Sequence, residues 1–73
     1  MRVTECEYLA SIDKTMLRLS SDLPSGKWTT ATIDGQPFRP YLPMYAGDIS
    51  RIEDNIIYID GEHELTGKTV EFV

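Results

Sequence analysis

The sequence contains a single histidine, and its acidic neighbours make it the first candidate for chemistry. His63 lies between Glu62 and Glu64, and Asp60 precedes it by three residues. Zinc sites usually need three or four well-spaced nitrogen or sulfur ligands, which one histidine does not provide. The three carboxylates could share one strand face and bind a hard cation such as calcium, but the twelve-residue calcium-loop pattern is missing. We therefore interpret this segment as a solvated turn, and we predict neither a metal site nor a cofactor.

Cys6 is the only cysteine and the second candidate for reactivity. A cysteine acts as a nucleophile when a base lies close to it, but the adjacent Glu5 and Glu7 disfavour the thiolate. No phosphate-binding glycine loop or nucleophile-elbow motif is present in the sequence. We therefore predict a packed thiol and no catalytic residues. Because a single cysteine cannot form an intramolecular disulfide, we also expect a reducing compartment, the cytoplasm.

Aromatic and proline residues are concentrated in the middle of the chain, where they could form a recognition surface. The prolines at positions 37, 40 and 43 follow the three-residue period of polyproline II. Small barrels that bind extended peptides use grooves lined by such residues, and tryptophan and tyrosine are common interface anchors. The predicted partner-binding residues are Trp28, Phe38, Arg39, Tyr41 and Tyr45. The alternatives are that Trp28 and Phe38 belong to the core, or that the P-x-x-P motifs within residues 37–43 are themselves a ligand.

Acidic residues dominate the second half of the chain, and the formal net charge is −5. Residues 38–73 contain seven of the twelve acidic residues but three of the seven basic ones. This imbalance would repel a phosphate backbone, so we predict no direct nucleic-acid binding. An acidic face could bind a basic protein partner, although charged faces are more often simply solvated. The residues of this face are Asp48, Glu53, Asp54, Asp60, Glu62 and Glu64.

The N-terminal segment is predicted to be an amphipathic helix over residues 5–20. Thr4 and Glu7 have the spacing of a capping box at a helix start. The apolar residues that then recur at helical spacing are Leu9, Ile12, Met16 and Leu19. The alternative is a hairpin of two strands around Asp13-Lys14. We favour the helix because this dipeptide lacks the glycine of two-residue hairpin turns, and because the apolar residues are mostly not β-branched.

The next segment is predicted to form a strand over residues 27–34 followed by a tight turn. Asp34-Gly35 is the dipeptide favoured in a type I′ hairpin turn. The returning segment contains Pro37 and Pro40, which have no N–H to donate. We therefore expect an edge strand or an extended segment there.

The C-terminal part is predicted to be a meander of short strands. Residues 49–53 and 56–60 form the clearest hairpin, and residues 62–65 and 69–73 complete the meander. The predicted core residues are Leu9, Ile12, Met16, Leu19, Trp28, Ile33, Ile49, Ile52, Ile57, Ile59, Val70 and Phe72. If Ile56 and its neighbour Ile57 are both buried, their strand is covered on both faces.

Together these elements predict one small domain over residues 1–73, of the α+β class. The N-terminal helix packs on a small, curved, mainly antiparallel sheet of about five strands. Closely spaced turns are typical of a strongly bent sheet, up to an SH3-like, partly open barrel. The alternative is an all-β small barrel in which residues 5–20 form the hairpin.

Without a catalytic constellation, the sequence favours a binding function. Our first hypothesis is a non-catalytic protein-binding module, or a small regulatory or accessory protein, that uses the aromatic–proline surface. The alternative is an acidic inhibitor or decoy that occupies a basic, nucleic-acid-binding site on a target protein. An exposed edge strand could also pair two copies into a homodimer. No apolar run approaches the roughly 18 residues of a membrane span, so we expect no membrane partner.

Overall fold

Six short strands form the fold in the computed structural model, which describes residues 1–41 and 55–73. The strands are β1 (Val3–Leu9), β2 (Lys14–Leu19), β3 (Ala31–Ile33), β4 (Gln36–Phe38), β5 (Ile56–Asp60) and β6 (Val70–Phe72). They make two three-stranded antiparallel sheets, with the strand orders β1-β2-β5 and β4-β3-β6. The predicted α+β class is wrong, because the described residues contain no helix and the fold is all-β. Within these residues there is also no helix long and apolar enough to cross a membrane.

The predicted helix over residues 5–20 is in fact an antiparallel hairpin, which is the alternative interpretation of the sequence. Burial alternates along β2, where Thr15, Leu17 and Leu19 are buried and the residues between them are half-buried. A strand places alternate residues on one face, whereas a helix would point them in nearly opposite directions. The strand therefore buries both leucines against the rest of the core, and this gain overrides the helical pattern.

The turn of this hairpin has four residues, 10–13, so it includes Asp13 of the predicted dipeptide, whereas Lys14 is already the first residue of β2. Leu9 and Lys14 are the last paired residues on either side of it. Asp13 adopts a φ of 52°, a left-handed conformation that aspartate tolerates better than most residues, so no glycine is needed. The Tyr8 hydroxyl donates to Asp13 Oδ1 at 2.7 Å. Ile12 lies in this turn and is 41% exposed, so its predicted place in the core is wrong.

The two sheets approach each other at isolated bridges rather than through continuous ladders. Arg2 pairs with Thr69, and Tyr41 pairs with Tyr58. The strands of the second sheet have only three residues each, which is too short to carry hydrogen bonding around a full circle. Residues 1–41 and 55–73 consequently form no closed barrel, and the SH3-like barrel is not found.

The hairpin of β3 and β4 confirms the predicted turn at Asp34-Gly35. The φ angles of 53° and 80° at these two residues are those of a type I′ turn. Ile33 and Gln36 close the hairpin, so the next residue, Pro37, turns its nitrogen away from β3. The missing N–H of the proline thus faces outwards, and β4 is an edge strand as expected.

The predicted C-terminal meander is wrong for the described residues, because β5 pairs with β2 in one sheet and β6 pairs with β3 in the other. β5 has the predicted bounds, whereas its predicted partner over residues 49–53 lies outside the described residues. The strands predicted over residues 27–34 and 69–73 are each limited to three residues, and residues 62–65 do not form a strand.

The core lies between the two sheets and is aliphatic. Its fully buried members are Val3, Leu17, Leu19, Ala31, Ile33, Ile57, Ile59 and Val70. Three of these are not among the predicted core residues: Val3, Leu17 and Ala31. Ile56 is buried like Ile57, so β5 is covered on both faces, although no helix covers it within the described residues. Two further predicted core residues lie outside the described residues: Ile49 and Ile52.

Candidate functional site

The candidate site is built around β3, the central strand of the second sheet. Ala31 lies directly opposite Phe38 of β4 on one side and directly opposite Phe72 of β6 on the other. Opposed residues point to the same face of a sheet, so the two phenylalanine side chains flank Ala31 on one face. Since neighbouring strands are about 4.8 Å apart, the backbones of β4 and β6 are about 10 Å apart. Both phenylalanines pack against the core and remain only partly buried.

Two more rings extend this pair at its ends. The Trp28 ring packs on Phe72 with centroids 4.6 Å apart and an interplanar angle of 58°, and its indole N–H donates to the Pro24 carbonyl oxygen at 3.2 Å. The His63 ring lies edge-on to Phe38 with centroids 5.1 Å apart. All four residues are half-buried. We refer to Trp28, Phe72, Phe38 and His63 as the aromatic row.

The structure brings together two of the five predicted partner-binding residues. Trp28 and Phe38 both belong to the aromatic row. Tyr41 is exposed and contacts a separate charged cluster. Arg39 is exposed next to Phe38, and Tyr45 lies outside the described residues.

The other two members of the row are not among the predicted partner-binding residues. Phe72 is predicted as a core residue, and His63 is predicted in a solvated turn. Alternation within β6 identifies the face of Phe72, but its neighbours depend on the pairing of β3 with β6, which are far apart in the chain. No local pattern indicates the contact between His63 and Phe38.

Tyr41 forms a compact cluster with a lysine and an aspartate. It exchanges two backbone hydrogen bonds with Tyr58, at 2.7 and 2.8 Å. Lys14 Nζ lies 4.1 Å from the centroid of the Tyr41 ring and 2.7 Å from Asp60 Oδ1, while the Tyr41 hydroxyl donates to Asp60 Oδ2 at 3.2 Å. The hydrogen bond from Lys14 lowers the pKa of Asp60 and raises the pKa of Lys14. The carboxylate of this aspartate is therefore hydrogen-bonded to both Lys14 and Tyr41, while its side chain remains exposed.

Acidification is expected to weaken the folded state through Asp60. Its pKa lies below the ordinary value of 3.8 because Lys14 donates a hydrogen bond to the carboxylate. A lowered pKa stabilises the folded state above the unfolded pKa, and this contribution is lost as the pH falls through the folded pKa. The drop in Tm between about pH 5 and pH 2 should therefore be smaller in Asp60→Asn than in the unmodified protein. Thermal scans by circular dichroism measure it, with Asp22→Asn as the control, and equal drops in the unmodified protein and Asp60→Asn would contradict the prediction.

The predicted acidic face is only partly described. The three residues outside the described ranges are Asp48, Glu53 and Asp54. Asp60 is paired with Lys14, whereas Glu62 and Glu64 are exposed. Glu64 Oε1 accepts a hydrogen bond from the backbone N–H of Thr66 at 3.1 Å, and hydrogen bonding to Thr66 lowers the pKa of Glu64. Of the three described carboxylates on this face, those of Asp60 and Glu64 are thus already hydrogen-bonded within the protein.

The single cysteine and the single histidine are close in space, but their reactive atoms are not paired. Cys6 Sγ donates to the backbone carbonyl oxygen of His63 at 3.1 Å. The ring atom Nε2 of His63 lies 3.0 Å from the carbonyl oxygen of Asp60, which only accepts, so this nitrogen carries a proton. Among the described residues, no group of three or more histidine, cysteine, aspartate or glutamate side chains could hold a metal ion.

No protein-family model, no curated protein and no solved structure matches this chain.

Proposed function

We propose that the protein is a non-catalytic protein-binding module, or a small regulatory protein, that holds an extended segment of a partner against the aromatic row. The observation that carries this proposal is the pairing of Ala31 with both Phe38 and Phe72, which places two rings on one face of the second sheet. Trp28 packs on one of these rings and His63 packs on the other. Each ring is partly held by the protein and partly exposed. Large, pre-positioned aromatic side chains of this kind supply much of the energy in protein interfaces.

The charges beside the row indicate the chemistry of the partner. Lys27 precedes Trp28, and Arg39 follows Phe38. Both basic residues are exposed and form no ion pair within the described part of the chain. We therefore expect an extended segment with apolar side chains flanked by carboxylates.

Substitution in the row should weaken binding without unfolding the protein. A phage-displayed library of random peptides, selected on the immobilised protein, supplies the probe, and fluorescence anisotropy gives its Kd. Phe38→Leu keeps most of the apolar contact with the core. Trp28→Ala removes the ring that packs on Phe72 at one end of the row. Each should raise the Kd by about 30-fold, the loss typical of an interface hot spot.

Tyr41→Phe is the matched control, because Tyr41 is an exposed aromatic residue outside the row. This change should alter the Kd by less than about twofold, and circular dichroism checks the fold of each variant. Selected peptides that shift the NMR signals of other surfaces, or a library that yields no binder, would show that the row merely closes the core.

The acidic decoy remains the second hypothesis, with less support from the geometry. Asp60 already has a cationic partner in Lys14 at 2.7 Å, although its side chain is exposed. Displacing this exposed contact would offset a small part of any gain from a basic target. A decoy should lose affinity steeply with ionic strength, whereas binding through aromatic rings should change little.

We also propose a reducing, cytoplasmic location for the protein, which the free thiol of Cys6 supports.

A further inference from the structure

The outer edge of β1 is a second candidate binding surface, because part of its backbone has no hydrogen-bond partner among the described residues. The hydrogen bonds of β2 establish which backbone groups of β1 face outwards. The Leu19 N–H donates to the Asn55 carbonyl at 2.8 Å, and the Gly61 N–H donates to the Asp13 carbonyl at 2.9 Å. Odd-numbered residues of β2 therefore face β5, and even-numbered ones face β1.

The register of the hairpin then leaves part of β1 without a backbone partner among residues 1–41 and 55–73. Glu7 pairs with Met16, an even-numbered residue, so its N–H and carbonyl point towards β2. Cys6 and Tyr8 alternate with Glu7, so their N–H and carbonyl groups point away from β2. Within the described residues, no backbone group bonds to those of Cys6 or Tyr8.

At the start of the same strand, the outer edge is hydrogen-bonded to residues 67 and 68. The Val3 N–H donates to the Lys68 carbonyl at 3.0 Å, and the Val3 carbonyl accepts from the Gly67 N–H at 2.8 Å. A β-bulge between Val3 and Glu5 separates this covered part from the uncovered part. The edge from Cys6 to Tyr8 thus offers two donors and two acceptors in strand geometry.

The side chains on this edge argue against a second copy of the chain as the occupant. Glu5 and Glu7 are both exposed there. An antiparallel pair that hydrogen-bonds Cys6 of one copy to Tyr8 of the other places Glu7 opposite Glu7, with Cα atoms about 4.5 Å apart. Centring the pair on Cys6 places Glu5 opposite Glu7 instead. Either register opposes like charges, which is how natural edge strands avoid self-pairing.

We propose that the outer edge of β1 binds, as an added strand, an extended segment of another protein with lysine or arginine at alternate positions. The backbone of that segment would bond to Cys6 and Tyr8, and its basic side chains would lie beside Glu5 and Glu7. Glu5 contacts Arg18 at 3.5 Å, whereas Glu7 forms no ion pair within the described residues. Glu7 is therefore the main electrostatic contact. This surface meets the aromatic row where Cys6 Sγ donates to the His63 carbonyl oxygen at 3.1 Å. The two proposals nevertheless depend on different groups, the backbone edge of β1 here and the aromatic rings there.

Amide hydrogen exchange measured by NMR tests the proposal directly. The probe is an acetylated and amidated peptide of alternating lysine and valine, added at low ionic strength. At saturation, exchange at the Cys6 and Tyr8 amides should slow by at least about tenfold, while the Glu5 and Glu7 amides, already facing β2, should change little. A peptide of the same charge with N-methylated valines should produce no such protection.

Matched charge reversals separate the edge from general attraction to an acidic protein. Glu7→Lys should raise the Kd of the alternating peptide by about tenfold or more. Glu71→Lys, the same charge change on the other sheet, should alter it by less than about threefold. Three results would overturn the proposal: no binding, binding without protection at Cys6 and Tyr8, or protection that grows with protein concentration alone, which would identify a second copy as the occupant.

Discussion

Replacing Leu17 with alanine is expected to leave a large fraction of the protein unfolded at room temperature. Leu17 is fully buried and lies between Cys6 of β1 and Ile57 of β5. Truncating a buried leucine costs about 2–5 kcal/mol, through lost burial and the cavity that remains. A core of this size rarely supplies more than about 3–5 kcal/mol in total. The substitution should therefore consume most of the stability.

Urea denaturation followed by far-UV circular dichroism measures this loss, and Ile12→Ala is the matched control. Ile12 is 41% exposed in the turn of the hairpin, so its truncation should cost no more than about 0.5 kcal/mol. The two variants also separate the hairpin from the helix. In the helical interpretation Ile12 belongs to the apolar stripe and Leu17 does not. A larger loss for Ile12→Ala than for Leu17→Ala would contradict the hairpin.

The error over residues 5–20 has a physical origin that the sequence alone does not remove. Both periodicities are present, because Leu9, Ile12 and Met16 fit a helix while Leu17 and Leu19 fit a strand. The buried residue that would extend the strand pattern is Thr15, a polar residue that hides the alternation. Tertiary burial decides between such competing local patterns.

Features that depend on local chemistry are predictable, and the structure confirms several of them. The Asp34-Gly35 dipeptide specifies its turn through two positive φ angles. The missing N–H of Pro37 limits its strand to an edge. The strand over residues 56–60 follows from its β-branched and aromatic composition. Each of these depends on residues that are adjacent in the chain.

The candidate site is harder to predict because its members meet only in the folded sheet. Trp28 and Phe38 are identifiable as large aromatic residues near prolines. Their partners, Phe72 and His63, are placed beside them by the pairing of β3 with β6 and by the path of residues 61–63. Such pairings join distant parts of the chain, so no short-range pattern reveals them.

Replacing Thr15 with valine is expected to lower the free energy of unfolding, although it keeps the shape of the side chain. The buried Thr15 hydroxyl donates to the Gly61 carbonyl oxygen at 2.6 Å and accepts from the His63 N–H at 3.1 Å. Valine would leave both backbone groups without this partner. Both hydrogen bonds are part-buried, and the loss of each costs about 0.5–1.5 kcal/mol. The free energy of unfolding should therefore fall by about 1–3 kcal/mol.

Thr15→Ser is the control that separates the hydroxyl from the methyl group. Serine keeps both hydrogen bonds and loses about 1 kcal/mol of burial, so it should be more stable than the valine variant in urea denaturation. The exchange rate of the His63 amide should rise in Thr15→Val and stay close to normal in Thr15→Ser. A valine variant as stable as the serine variant would show that residues 61–63 are held by other contacts.

The Thr15 hydroxyl also connects the core to the aromatic row. It anchors the backbone of His63, whose ring packs on Phe38 with centroids 5.1 Å apart. Loss of the anchor should therefore weaken binding of a row-directed peptide in Thr15→Val even at temperatures where the variant remains folded. Because Thr15 is buried and bonds to the backbone of His63, an effect on Kd without a direct contact would mark it as a positioning residue. If the Kd is unchanged while stability falls, the histidine end of the row contributes nothing to binding.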